Sequence, residues 1–330
     1  LPSFTLPASG GYQIIRSNKQ LLNLLEFLNP DRVEVSDRFT LLKVGRWAKQ
    51  HKVASLVFSH ETLNGLVRKY APFIPASIRN KFVNWHNAKL AATFDNVIAT
   101  TDFAAAEFVR IKTDNLRKVA LGVDLIGFNP ENRNYKLRKE LLKGAEFLLV
   151  HCGRMSPEKQ PERSVQALAE LIKRGVNARL IIVGGGPLWN KVRKQSTGLP
   201  VDMVGYIASR QKVADYLAAA DLAIAPGPLE TFCLSALESL ASGTPVVASK
   251  SSAVGEILNV NSIKAAGAVA ADDGVSFANE IVKLLSKGSL RKVARNQAEQ
   301  FSWANTIDAM LDIHGAKQPM VTTKRRLKAA

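Results

Sequence analysis

The 330-residue chain carries 45 Lys and Arg against 28 Asp and Glu, a formal charge of +17 that favours anionic partners: nucleic acid, an acidic membrane surface or phosphorylated substrates. Its 46% hydrophobic content can fill two cores of ordinary size, and no apolar run approaches the roughly 18 residues that would span a bilayer. The two cysteines, Cys152 and Cys233, sit in apolar or motif segments, which argues against a disulfide framework and suits a reducing compartment.

The chain begins at Leu rather than Met, and its first 20 residues have neither the basic nor the apolar region of a signal peptide. Strands are expected at 32–36, 53–59, 96–100 and 118–122, with helices between them, the longest over 76–94. Asp37, in "EVSD", is a candidate for an acceptor side, and "SGG" at 9–11 follows no apolar strand and so is not a phosphate loop. Basic residues recur through this half beside Trp47, Tyr70, Phe73 and Trp85, which are expected to be exposed. The segment over 67–85 is basic and amphipathic, suited to lying on anionic headgroups without crossing the bilayer. The stretch 122–144 reads as a linker.

The second half alternates more regularly. Strands are expected at 147–151, 178–184, 201–205, 221–226 and 245–249, with helices at 161–175, around 188–196, at 210–219 and before 245. That alternation is the signature of βαβ units on a parallel sheet. Helices follow from 274, and the tail "TTKRRLKAA" is expected to fray. Arg154 and Lys159, in "HCGRMSPEKQPE", stand where a strand gives way to a helix, the ligand edge of an open α/β sheet, where two cations can neutralise a diphosphate. "IIVGGGPL" lacks the G-x-G-x-x-G spacing and reads as a tight strand-to-helix turn. Glu230 and Glu238 stand eight apart on an expected helix, so about 12 Å and about 80° separate them. Carboxylates so placed could hold the hydroxylated ends of one extended ligand while the helix N-terminus takes an anionic middle, which describes a nucleotide sugar.

The ordered motifs "GRMSPEK", "LIIVGGGPL", "VGYI" and "ETFCLSALESLASGTPVVAS", with "LGVDLIGFNP" before them, resemble the retaining two-domain (GT-B type) glycosyltransferases with an E-x7-E motif. The first half, with "EVSD", "FSHE" and "TTDFAAAEF", is similar to actinobacterial GDP-mannose-dependent members that build mannose-containing glycolipids. The resemblance implies an α/β fold of two Rossmann-like doubly wound domains facing each other across a cleft: an acceptor-side domain over 1–125 joined by the C-terminal helix, a linker over 126–144 and a donor domain over 145–330. It implies that Glu230 binds donor-sugar hydroxyls and Glu238 the ribose. Arg154 and Lys159 would hold the diphosphate with backbone N–H groups around Phe232, Cys233 and Leu234. Gly205, Tyr206 and Ile207 would lie near the base, and His60 would line the sugar site.

Cys233 and Gln160 stand where many family members have glycine. The family's first strand and glycine-rich loop have no counterpart, so one to two βα units, on the order of 50 residues, are expected to be missing from the start. His86, His151 and His314 are taken as structural.

The implied reaction moves a sugar, expected to be mannose, from a nucleoside diphosphate donor (GDP-mannose favoured, a UDP-sugar possible) to a lipid or glycolipid hydroxyl at the inner face of the plasma membrane. No prosthetic group or metal is expected, since no D-x-D motif occurs, and the protein's own cations would stabilise the leaving diphosphate. Nucleic-acid binding is disfavoured by the lack of an aromatic-interleaved basic motif. A non-catalytic nucleotide-sugar or membrane-surface binder, an epimerase and a sugar phosphorylase are the alternatives.

Overall fold

The computed structural model describes residues 1, 3–5 and 13–315; the "SGG" stretch and the basic tail lie outside the described residues. The first unit runs β1 (Ser3–Thr5), β2 (Gln13–Ile15), α1 (Asn18–Leu28), β3 (Arg32–Val35), α2 (Leu42–His51), β4 (Ala54–Ser59), α3 (Leu63–Tyr70), α4 (Ala76–Thr93), β5 (Asn96–Ala99), α5 (Asp102–Arg110) and β6 (Leu116–Lys118). After a 3₁₀ turn (Pro130–Asn132) come α6 (Tyr135–Leu142), β7 (Phe147–Cys152), α7 (Glu162–Lys173), β8 (Ala178–Val183), α8 (Trp189–Gln195), β9 (Val201–Gly205), α9 (Arg210–Ala219), β10 (Leu222–Ala225), α10 (Leu234–Ala241), β11 (Val246–Ser249), α11 (Val254–Ile257) and β12 (Gly267–Ala270). Three helices close the described chain: α12 (Gly274–Leu285), α13 (Arg291–Ala298) and α14 (Trp303–Ile313).

The first sheet is parallel in the order β3-β4-β5-β6, and the second is parallel in the order β12-β11-β10-β7-β8-β9. In the second, the chain winds outward from β7 through β8 to β9, then returns to β10 on the other side of β7. That reversal leaves a crevice beyond the carboxyl ends of β7 and β10, where an open α/β sheet receives its ligand. Both faces of this sheet are covered, so its strands are near-continuous apolar runs such as "LIIV" and "VVA".

The segment expected as linker is tied to the second unit. Arg133 and Arg138 both pair with Asp221 and donate to the carbonyls of Ala218, Ala219 and Ala220, which α9 leaves unsatisfied at its C-terminus. The last helix returns to the first unit. Ala309, Met310 and Ile313 of α14 pack on Leu56, Ile98 and Val119, and Thr306 donates to the carbonyl of Ala120.

Two expectations need correction here. The strand expected at 118–122 ends at Lys118; beyond it Val119 lies under α14, and Ala120 and Leu121 pack on the core of the second unit instead of extending the sheet. Trp47 is buried, its indole Nε1 donating to Glu26, because α2 lays it against β3 and β4; Tyr70, Phe73 and Trp85 are exposed as expected. Asp37, the acceptor-side candidate, accepts from the backbone of Phe39 and Thr40 and from the Thr40 hydroxyl, which fixes the turn that follows β3.

Candidate functional site

A cavity of about 350 Å³ opens beyond the ends of β7 and β10, lined by His60 and Thr100 of the first unit and by Arg154, Lys159, Glu230, Phe232, Cys233 and Leu234 of the second. Arg154 and Lys159 come from the loop after β7, and Glu230 from the loop after β10. His60 and Thr100 come from the loops that follow β4 and β5. The topology thus brings residues more than 150 positions apart in sequence to one crevice.

Glu230 is not on the helix the sequence suggested. Residues 226–233 form a loop and α10 starts at Leu234, so of the two glutamates Glu238 alone is helical. The helix N-terminus therefore lies between the two carboxylates. Gly227 leaves room for the Glu230 side chain, since a Cβ there would stand 2.9 Å from its Oε1. Lys159 Nζ meets that oxygen at 2.5 Å, with Glu230 only 13% exposed. Burial pulls the Lys159 pKa down, but Glu230 together with Cys233 and Glu158 outweighs this and the net shift is upward, so Lys159 is a cation at neutral pH.

Glu238 is also mostly buried, at 11% exposure, and accepts from Arg210 at 2.9 Å. Burial raises its pKa, and Arg210 opposes the rise. Sequence reasoning missed Arg210. It begins α9 just after the Gly205–Ile207 turn, and its guanidinium lies 4.7 Å from the Phe128 ring centroid. Glu238 and that turn do not line the cavity, and Tyr206 in the turn is exposed.

The two positions where the family often has glycine both adopt left-handed backbone, Gln160 at φ 45° and Cys233 at φ 72°. The local shape of these loops is therefore kept despite the substitutions, at a strain of roughly 1–2 kcal/mol each. The glycines of "GGGP" serve close packing: side chains at Gly184 or Gly186 would collide with the carbonyls of Gly153 and Met155 in the Arg154 loop.

His60 stands at the rim of the cavity with its ring stacked on Phe58 at 5.3 Å, and the protein crowding it lowers its pKa below 6.5. Its position is fixed from the second unit. Thr231, next to Glu230, donates through Oγ1 to the His60 carbonyl at 2.5 Å, while Thr100 and Thr101 donate to the Thr231 carbonyl at 3.1 and 2.8 Å. The Glu256 carboxylate accepts from the backbone of Asp102 and Phe103 at the start of α5, at 2.8 and 2.7 Å. These contacts register the two units against each other around the cavity. A lone threonine inside a loop gave no sequence signal for this.

His151, taken as structural, also lines the cavity. It is buried, with Nδ1 2.9 Å from Ser164 Oγ and Nε2 without a partner, and burial pushes its pKa down to about 4. Unfolding restores the ordinary value near 6.5, so the unfolded chain binds the extra proton between those limits. Stability is therefore full above about pH 6.5 and falls as pH drops toward 4, by on the order of 3 kcal/mol. Urea midpoints measured from pH 7 to pH 4 should fall less steeply for His151→Leu than for the unsubstituted protein, whatever the variant's baseline. Parallel slopes would remove His151 from the acid response. His86 is buried beside Phe39 and Phe82, and His314 pairs with Glu34 at 2.6 Å.

Residues 146–287 match the family described as "Glycosyl transferases group 1". The chain is 43% identical over 318 residues to the GDP-mannose-dependent alpha-(1-6)-phosphatidylinositol dimannoside mannosyltransferase of Mycobacterium tuberculosis, covering 96% of this chain and 81% of that protein. It is 30% identical over 246 residues to the D-inositol 3-phosphate glycosyltransferase of Saccharomonospora viridis, covering 68% and 56%. Among solved structures, Anabaena Alr3699/HepE in complex with UDP superposes with a TM-score of 0.73 at 17% identity, covering 90% of this chain and 81% of that one. The sucrose-phosphate synthase of Thermosynechococcus elongatus gives 0.72 at 21% identity, covering 94% and 82%.

Proposed function

The chain belongs to the group 1 glycosyl transferases, and from that premise we propose that it moves mannose from GDP-mannose to a hydroxyl of a phosphatidylinositol mannoside, with retention at the anomeric carbon. The observation that carries this reading is the single crevice that joins Arg154, Lys159, Glu230 and the α10 N-terminus to His60 of the facing unit. We place the acceptor domain at 1–125 with α14 returned to it, the linker at 126–144 and the donor domain at 145–330.

In this mechanism the α10 N-terminus and the N–H groups around Phe232, Cys233 and Leu234 take the diphosphate. Glu230 holds sugar hydroxyls on one side, and Glu238 holds the ribose on the other. Arg210 replaces a ribose hydroxyl as the partner of Glu238 when the donor is absent. The base lies along Gly205, Tyr206 and Ile207. The acceptor oxygen forms a bond to the anomeric carbon as the bond from that carbon to the diphosphate oxygen breaks. The diphosphate leaves with the electron pair and accepts the acceptor's proton, all on one face of the sugar. Arg154 and Lys159 stabilise the charge that develops on it. His60, uncharged at neutral pH, lines the sugar from the acceptor side. Donor choice is tested by initial rates with GDP-mannose and UDP-glucose on the same acceptor; faster transfer from the UDP-sugar would overturn the guanine assignment.

No helix among the described residues is long and apolar enough to cross a membrane. We place the enzyme on the anionic cytoplasmic surface through α3, α4 and the turn between them, where Tyr70, Ile78, Phe82 and Trp85 are exposed beside the exposed cations Arg68 and Lys81. Each cation at such a surface contributes about 1 kcal/mol. Co-sedimentation with vesicles should require anionic lipid, fall steeply with salt and weaken about fivefold for each of Arg68→Ser and Lys81→Ser. Binding indifferent to lipid charge would contradict this placement.

A further inference from the structure

We propose that the apolar cleft between α3 and α4 seats an acyl chain of the acceptor lipid, so that the enzyme draws one chain of its substrate out of the bilayer while the head group reacts. This rests on the lipid-acceptor reading above and adds a site to it. The cleft has a volume of about 640 Å³. Its walls are apolar side chains, four of them large and exposed: Phe39, Tyr70, Ile78 and Phe82. Exposed aromatic and aliphatic groups gathered on one concavity mark a binding surface.

The local sequence builds the opening. Pro72 and Pro75 break the chain between α3 and α4, and the two helices are joined on their polar side by Asn64, which donates to Asn80 at 2.6 Å and accepts from Arg79 at 3.0 Å. That clamp leaves the apolar sides apart and fixes the Arg79 guanidinium at the edge of the cleft, where an anionic head group would pass.

Continuity with the reaction site selects the occupant. A polar pocket of about 330 Å³ is lined by His60, Lys159 and Glu230, where an acceptor hydroxyl must meet the donor sugar, and also by Leu66 and Tyr70. Leu66 and Tyr70 line the apolar cleft as well. A molecule with its hydroxylated end at His60 and Glu230 thus continues over Leu66 and Tyr70 into apolar space. A lipid has that sequence of chemistries, whereas a protein docked in the cleft would close the approach to the reaction site.

The test is calorimetric titration with dioctanoyl phosphatidylinositol below its micellar concentration, with glycerophosphoinositol as the chain-free control. Each buried methylene strengthens binding by roughly fourfold, so the lipid should bind at least tenfold more tightly than the control. Val67→Trp fills the cleft and should reduce lipid affinity to that of the control. Ile78→Glu, at an exposed rim position, should weaken the lipid at least tenfold and leave the control unchanged. Both variants should bind GDP normally, and Val67→Trp, which alters none of the side chains placed on the adsorbing face, should also adsorb normally to vesicles of anionic phosphatidylglycerol. Equal affinity for lipid and control, or undiminished lipid affinity in both variants, overturns the proposal. Lost vesicle adsorption with unchanged affinity for the monomeric lipid also overturns it, assigning the cleft to the bilayer surface. Binding of this lipid together with no mannose transfer from GDP-mannose to a phosphatidylinositol mannoside would leave the cleft standing and overturn the proposed reaction.

Discussion

Lys159→Ala is expected to lower kcat by about 10²–10³-fold, the loss typical when one group aimed at developing negative charge is removed from a site. The reason is geometric. Lys159 reaches into the crevice from the loop after β7, and the 2.5 Å contact with Glu230 holds its ammonium where the diphosphate must separate from the sugar. Arg154→Ala should act in the same direction, because it removes the second cation from the same loop. Arg154→Ala should shift the melting temperature little, since Arg154 is exposed, whereas Lys159→Ala should cost more, since it leaves the largely buried Glu230 without this cation. Circular dichroism and single-turnover rates measured on the same preparations separate the two effects. A variant that unfolds readily yet transfers sugar at the normal rate per folded molecule would make these cations structural.

Glu230→Ala and Glu238→Ala should each weaken ligand binding by about 1.5–3 kcal/mol, the contribution of a hydrogen bond from a hydroxyl to a buried charged group. The two losses should fall on different ligands. Glu238 lies within α10, paired with Arg210 and outside the cavity that holds Glu230, so as the proposed ribose ligand its loss should weaken free GDP and GDP-mannose alike. Glu230 sits in the loop before α10 and faces His60 across the cavity, so its loss should weaken GDP-mannose and leave GDP nearly unchanged. Equal and negligible losses in calorimetry would return both carboxylates to a purely structural role.

The donor half was the more legible in sequence, because its strands are buried on both faces and read as unbroken apolar runs such as "LIIV". The strand that escaped is β12, "GAVA": four small residues with little intrinsic strand signal, held at the edge of the sheet by parallel pairing with β11. The run after Lys118 misled in the opposite sense. Val119 answers to α14, nearly 200 positions later, and Ala120 and Leu121 to the core of the second unit, and no local pattern carries that information. At the site, the charged members stood out because cations at a sheet's ligand edge and paired glutamates are unusual in apolar surroundings. Thr231 and Arg210 did not, since their partners are set by the meeting of the two units and of α9 with α10. The helix expected to carry both glutamates is shorter than the pattern suggested: the chain takes left-handed backbone at Cys233 and α10 begins at the next residue, where Leu234 and Ser235 line the cavity.

The most direct test of the central claim is mass spectrometry with anomeric assignment by nuclear magnetic resonance on the lipid fraction, after purified protein is incubated with GDP-mannose and a phosphatidylinositol mannoside. The account predicts an acceptor enlarged by one hexose, joined in the same anomeric configuration as the donor, with GDP released in equal amount. An unchanged lipid together with epimerised donor, phosphate-dependent release of sugar phosphate, or intact GDP-mannose bound but never consumed would contradict it.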